Sequence, residues 1–446
     1  MNKEHIQSNT DMKEQKEHAE EHERGEDGLP KKPKIENRRP ESITEAIAQR
    51  ELKENDSMRE EQEAVEAKKQ QKREDFFEVF KQGKPHLELA WSNLSDDDAT
   101  YLSKIISGYE PNTLTLLDLT GNYIDFEGSN QLFKVLQKQI HLTTIKISWN
   151  RLQFMATEAL AELLQMEDHK LSHLSINGNN ISNRGVGLIA KSLEVNKNLT
   201  FLDVSNNWIG NSGARHVAAA LEKNTTLRSL ILSRNKIAVK GLERLDEAMA
   251  INRGLTHLDI SHNNLIDGGV KKLADALIMN NTLTSLSLGN NWVGDAEAIC
   301  LGMALKLNRT LKVLDLGNNN FQVEGVRSIF KGIKESGLTW LDLSHSHISD
   351  GDVDAMCQCV SDNNSLTYLN LRGNALGDES MSQLIQALRK NKSITDIVLG
   401  DNPLGPRSIN ELSTLTTEKT KLNVSLSTDR DRRKRSLEDV NRPAQQ

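Results

Sequence analysis

Five histidines, His173, His257, His262, His345 and His347, are the residues of this 446-residue chain best suited to acid–base or metal chemistry. Three cysteines, Cys300, Cys357 and Cys359, suit nucleophilic or zinc chemistry. Spacing argues against both. His257 and His345 fall on strand segments three repeat units apart, and strands about 4.8 Å apart separate them by roughly 14 Å, too far for one ion. His345 and His347 are close in sequence but read as isolated surface residues. The cysteines lie in helical segments without C-x-x-C or zinc-ligand spacing. They read as free buried thiols, which suits a reducing compartment. There is no G-x-S-x-G, phosphate loop, H-E-x-x-H or calcium loop. No catalytic residue, metal or cofactor is assigned, and the chain reads as a non-enzyme.

The remaining chemistry is recognition. Trp340 and Tyr368 occupy the same position on successive strands, where their rings can stack, and Val313 extends the patch. Phe201 and His257 hold that position earlier. Trp91 and Trp149 sit just before a recurring polar position, and Tyr123, Trp208 and Trp292 just after it, at the rim where strand passes into loop. Asp118, Asp203, Asp259, Asp315 and Asp342 share another strand position, with Asp396 near the end, and Lys146, Arg234 and Arg372 interrupt the stripe. Part of that stripe is scaffold preference. Tryptophan and tyrosine are frequent interface anchors, and acidic groups select and orient a partner. Val313, Trp340, Asp342 and Tyr368 are therefore assigned to the centre of a protein-binding site. Asp203, Asp259 and Asp315 steer, and Trp208 and Trp292 contact from the rim. The partner is expected to present a basic or aromatic surface.

What positions these residues is a unit of about 28 residues, LxxLxLxxNx(I/L/V/F) followed by a helical stretch, occurring eleven times between Leu114 and about residue 421. Asn122, Asn150, Asn179, Asn207, Asn235, Asn263, Asn291, Asn319, Asn374 and Asn402 mark the period; Ser346 breaks it. In LTFLDVSNNWIG, Leu199, Leu202, Val204 and Ile209 point inward with strand alternation. In NSGARHVAAALEKN, Val217, Ala220 and Leu221 share a helix face. A buried asparagine must be hydrogen-bonded, so these are expected to bond their own turn and the next repeat as a ladder. Gly128, Gly185, Gly213, Gly241, Gly269 and Gly325 follow it by six residues, where a small residue brings helix and turn close. Asn196, Asn224, Asn252, Asn280, Asn308, Asn363 and Asn391 mark helix ends, where asparagine tolerates the left-handed conformation. The N-x-S/T sequons there read as scaffold positions, not glycosylation sites.

These repeats resemble leucine-rich repeats of the ribonuclease-inhibitor-like subfamily, which also occurs in NOD-like receptors, Ran GTPase-activating protein and some bacterial effectors. The resemblance covers about three quarters of the chain. It implies an α/β horseshoe solenoid, with a parallel sheet on the concave face and helices on the convex face. The function it implies is a protein–protein interaction scaffold, with a bacterial effector acting in a host cell as one setting. The alternative is a GTPase-activating protein or regulator of a small GTPase. The repeat spacing leaves no projecting loop, the long acidic tail of Ran-type activators is missing, and no functional arginine can be mapped. A ubiquitin-ligase effector would need an added catalytic domain, and neither tail shows one.

Residues 1–75 are dense in charge, lack Phe, Trp and Tyr, and are expected to be disordered, with an exposed helix over Ser57–Asp75 as an option. Residues 76–113 form an amino-terminal cap through Phe76, Phe77, Val79 and Phe80, with a degenerate strand at Leu87 and Leu89. The repeats occupy 114–421. Residues 422–446 begin with a last strand at Leu422, Val424 and Leu426 and continue as a disordered basic tail. Arg430, Arg432, Arg433, Lys434 and Arg435, and the smaller Lys31-Lys32-Pro33-Lys34, resemble nuclear-localisation clusters. The net charge of −7 and the lack of long apolar runs predict no nucleic-acid binding and no membrane insertion. A cytoplasmic monomer is expected, with export into a host cell or nuclear targeting as options.

Overall fold

The computed structural model describes residues 84–108, 113–266 and 268–426, together with scattered positions between 59 and 78. Packing divides the chain into two units, Met1–Gln71 and Lys72–Gln446, and the repeats lie in the second. The described positions between 59 and 78 are helical. Both basic clusters, the disorder expected of residues 1–58 and 427–446, and Phe76, Val79 and Phe80 lie outside the described residues.

Among the described residues, thirteen three-residue strands form one parallel sheet in sequence order. They are β1 (His86–Glu88), β2 (Leu116–Asp118), β3 (Thr144–Lys146), β4 (His173–Ser175), β5 (Phe201–Asp203), β6 (Ser229–Ile231) and β7 (His257–Asp259). There follow β8 (Ser285–Ser287), β9 (Val313–Asp315), β10 (Trp340–Asp342), β11 (Tyr368–Asn370), β12 (Asp396–Val398) and β13 (Asn423–Ser425). Helices alternate with them: α1 (Asp96–Ser107), α2 (Phe126–Leu136), α3 (Thr157–Gln165), α4 (Ser182–Leu193), α5 (Asn211–Lys223) and α6 (Val239–Ile251). The rest are α7 (Gly269–Met279), α8 (Asp295–Leu307), α9 (Val323–Ile333), α10 (Val353–Asp362), α11 (Asp378–Lys390) and α12 (Pro406–Glu418). Register advances by 27 residues at the least, from Val313 to Trp340, and by 30 at the most, from His86 to Leu116.

Parallel neighbours need a crossover, and here each crossover is a helix. The middle residue of each strand points toward the helices, so Leu117, Leu202 and Leu341 are buried while their strand neighbours stay half-exposed. Leu199, Val204 and Ile209 are buried as the alternation requires, and so are Val217, Ala220 and Leu221 of α5. One apolar core runs from Phe77 to Leu422. The strand expected to be degenerate is a full rung: β1 pairs with β2, and α1 carries its own capping box at Ser95 and Asp98.

The asparagine ladder forms, but it points the other way along the array. Asn235 Oδ1 accepts from the N–H groups of Asn207 and Ile209, at 2.9 and 3.0 Å, and its Nδ2 donates to the carbonyls of Val204 and Leu232. The side chain thus ties its own turn to the preceding rung. The turn is a convex corner that leaves two N–H groups without strand partners, and the following asparagine supplies the acceptor. At Ser346 the shorter side chain donates from Oγ to the carbonyls of Leu316 and Ser344 instead.

The asparagines at helix ends correct a second expectation. Asn224, Asn252, Asn280, Asn308, Asn363 and Asn391 are extended, with φ from −61° to −82°. Asparagine is required there for its side chain. Asn252 Oδ1 accepts from the N–H groups of Gly254 and Leu255, while Nδ2 donates to the carbonyls of Leu221 and Asn224 one rung back. A third set of rung-to-rung bonds caps the helices. Asp96, Asn183, Asn211 and Asp295 each accept from two N–H groups at the start of the next helix, those of Gly128, Gly213, Gly241 and Gly325 among them. The glycines are small for this reason: a Cβ at Gly128 would stand 2.5 Å from Asp96 Oδ1.

Candidate functional site

The first residue of each strand and the third both face away from the helices, so the open face of the sheet carries two parallel rows of side chains. In the first row Val313, Trp340 and Tyr368 are in register. The Trp340 and Tyr368 rings stack, with centroids 5.0 Å apart and planes 6° from parallel. Register spaces the two Cα atoms at the strand separation, and flat rings fill that gap. Both are half-buried. A second pair went unrecognised in the sequence: His173 and Phe201 stack with centroids 4.0 Å apart and planes 4° from parallel. Its signal was present, since the two residues hold one repeat position 28 residues apart. Burial, with Lys146 adding to it, lowers the His173 imidazole to about 4, so the ring is neutral.

In the second row the aspartates are committed to their own turns. Asp118, Asp203, Asp259, Asp315 and Asp342 each accept through Oδ1 from the N–H two residues on, at 2.7–3.0 Å. Asparagine does the same at Asn370. The second oxygens join side chains across strands: Asn177 donates to Asp203, Ser287 to Asp315 and Asn370 to Asp342. Burial raises Asp203 and Asp259 above the usual carboxylate range. Asp315 is pushed up to about 7, by burial first and by the neighbouring Asp342 carboxylate second. Both of those carboxylates crowd one point: a Cβ on Gly317 would lie 2.9 Å from Asp342 Oδ1 and 3.3 Å from Asp315 Oδ1. Of the cations interrupting the row, Lys146 lies 3.8 Å from Asp118 and Arg372 lies 2.6 Å from Asp401.

The rim follows from a backbone feature of the ladder turn. The residue before each ladder position is left-handed, including Trp91, Trp149, Arg234, His262 and His345, with Gly121, Gly178 and Gly373 at others. Where asparagine, aspartate or glycine stands at this position the conformation costs little, and that recurrence was the overlooked sequence signal. Trp91 lies against Gly121 of the next rung, Trp149 against Gly178 and His345 against Gly373, each so close that a Cβ would collide with the ring. These rings pack within the array. Trp91 and Trp149 nonetheless keep 70% and 50% of their surface exposed, and exposure does not set Trp208 and Trp292 apart from them. Trp208 and Trp292 are 56% and 69% exposed, and the Lys236 ammonium stands 3.7 Å from the Trp208 ring centroid.

The remaining reactive side chains do not converge. His257 Nδ1 is 2.8 Å from Thr256 Oγ1, and among the described residues no group of three histidine, cysteine or acidic side chains is placed to hold a metal. Cys300, Cys357 and Cys359 are free thiols on helices, though only Cys359 is fully buried and the other two are half-buried; burial pushes Cys357 and Cys359 up to about 12, where they are inert at neutral pH. No described helix is long and apolar enough to cross a membrane.

Seven segments, residues 167–190, 195–218, 223–245, 252–274, 280–302, 307–330 and 362–384, match the family described as Leucine Rich repeat. Each runs from the end of one helix through strand and ladder turn into the next helix. These seven segments are leucine-rich repeats. No curated protein matches the chain. Among solved structures the chain is similar to an internalin of Listeria monocytogenes, at 21% identity and a TM-score of 0.46, over 78% of this chain and 88% of that one. Leucine-rich repeat arrays generally mediate protein–protein interaction through the surface their stacked units present.

Proposed function

We propose that this protein is a non-enzymatic recognition scaffold whose open sheet face binds a partner protein, centred on Val313, Trp340, Asp342 and Tyr368. The observation that carries this reading is the stacked Trp340–Tyr368 pair. Two large rings face away from the helices on a rigid sheet, beside converging carboxylates. Preorganised aromatics with little conformational freedom to lose are what interface anchors require. Asp203, Asp259 and Asp315 favour a basic partner surface, although their bonds to the turns make them parts of the scaffold as well. Trp208 and Trp292 extend the contact at the rim. The helix in every rung and the 27–30-residue register support placing the repeats in the ribonuclease-inhibitor-like subfamily.

A regulator of small GTPases is the weaker reading. Activation by this route delivers an arginine to the nucleotide site. Arg372 is held by Asp401, Arg151 lies over the Tyr123 ring, and among the described residues the 27–30-residue register supplies no projecting loop.

The test is capture of partners from cell lysates by the wild type and a Trp340→Ala/Tyr368→Ala variant, with a Trp208→Ala/Trp292→Ala variant in parallel. Loss with the first variant and retention or partial loss with the second supports the reading. Equal capture by the wild type and the first variant contradicts it.

A further inference from the structure

The chain leaves the sheet at β13, where Ser425 stands in one row with Val398, Asn370, Asp342 and Asp315. Asp342 is three strands from Ser425 and Asp315 four, roughly 14 and 19 Å at the ordinary strand spacing. Five residues of extended chain span about 16 Å. Chain running back along the row therefore brings Arg430 level with Asp342 and the next residues level with Asp315. The described residues end at Leu426, and the sequence beyond holds Arg430, Arg432, Arg433, Lys434 and Arg435 with only Asp431 among them. The face from β9 to β12 has the opposite balance. It carries Asp315, Asp342, Asp396 and Asp401 against Arg372, which Asp401 already holds. Beside these acids lies the stacked ring pair, a flat surface that suits a guanidinium better than an ammonium.

We infer that the basic segment, residues 430–435, folds back onto the β9–β12 face of its own chain, with one arginine on the Trp340–Tyr368 pair and another at the Asp315–Asp342 carboxylates, in competition with a partner protein. This rests on the open face being the binding face. An arriving guanidinium relieves the repulsion between two carboxylates that crowd Gly317. A tethered segment competes at an effective concentration of about a millimolar, so it screens out weak partners and yields to tight ones.

The test titrates a fluorescein-labelled peptide of residues 427–446 into three full-length chains: the wild type, a chain with Arg430, Arg432, Arg433, Lys434 and Arg435 changed to Ser, and that chain with Trp340→Ala/Tyr368→Ala added. The peptide is expected to bind the tail-neutralised chain about tenfold more tightly than the wild type, whose own tail fills the site, and about tenfold more tightly than the ring variant. Asp342→Asn in the tail-neutralised chain, with Asn370 as its precedent for the turn, gives a second variant that weakens binding while keeping the fold. No binding, or binding indifferent to both Trp340→Ala/Tyr368→Ala and Asp342→Asn, overturns the inference. Partner capture that depends on Trp340 and Tyr368 without any peptide binding removes the tail from the account and leaves the binding face; loss of both removes both.

Discussion

Asp315 and Asp342 stand in register on neighbouring strands and aim their carboxylates at the same glycine, Gly317. The arrangement stores electrostatic cost. A carboxyl raised from 3.8 to about 7 binds its proton more tightly folded than unfolded, so the stability it contributes is present below about pH 4 and lost as pH rises to about 7. Asp315→Asn keeps the acceptor for the Gly317 N–H, as Asn370 does for that of Arg372, and removes the loss. The variant is expected to gain on the wild type by about 1–3 kcal/mol between pH 5 and pH 8, measured as urea midpoints. Identical pH profiles would show that the pair carries no such strain.

Asp246, within α6, is a second site of misplaced charge. Its carboxyl is buried with no hydrogen-bond partner, and burial, only partly offset by Lys272, raises it well above the ordinary range. Ala190, Ala218 and Ala274 occupy the equivalent position in α4, α5 and α7, and all three are buried. Asp246→Ala should raise stability by about 1–3 kcal/mol at pH 8 and by less at pH 5, because the raised carboxyl loses its stabilising proton as pH rises. Denaturation at both pH values decides it; a destabilised variant at pH 8 would mean that the carboxylate has a partner.

The ladder predicts two changes of opposite sign. Asn235→Ala orphans the N–H groups of Asn207 and Ile209 and should cost about 1–3 kcal/mol. Ser346→Asn restores the acceptor for the turn before it and should stabilise by about 1 kcal/mol. Unchanged midpoints in both variants would argue against a buried ladder.

Much of this fold was legible because a solenoid repeats its errors and its rules alike. One asparagine per rung fixed the period, and the LxxLxL alternation assigned Leu202 inward and Trp340 outward. The direction of the ladder was not legible, since Asn235 has equal chemistry toward both neighbours and only the corner geometry leaves the preceding N–H groups unpaired. Asn252 was assigned a backbone role because asparagine at a helix end usually has one; its side-chain bonds depend on the distance between adjacent rungs. The same distance decides that Trp91 lies on Gly121, which sequence alone presents as two unrelated residues. The role of Trp340, Tyr368 and Asp342 follows from exposure and packing and stands as a proposal.

Truncating a stacked ring at the centre of an interface usually costs about 2 kcal/mol or more, close to thirtyfold in affinity. The most direct measurement is therefore calorimetric titration of a captured partner into the wild type and Trp340→Ala, each first shown to unfold at the same denaturant midpoint. The proposed face predicts binding weakened about thirtyfold by Trp340→Ala. Equal affinity for the two proteins would contradict it.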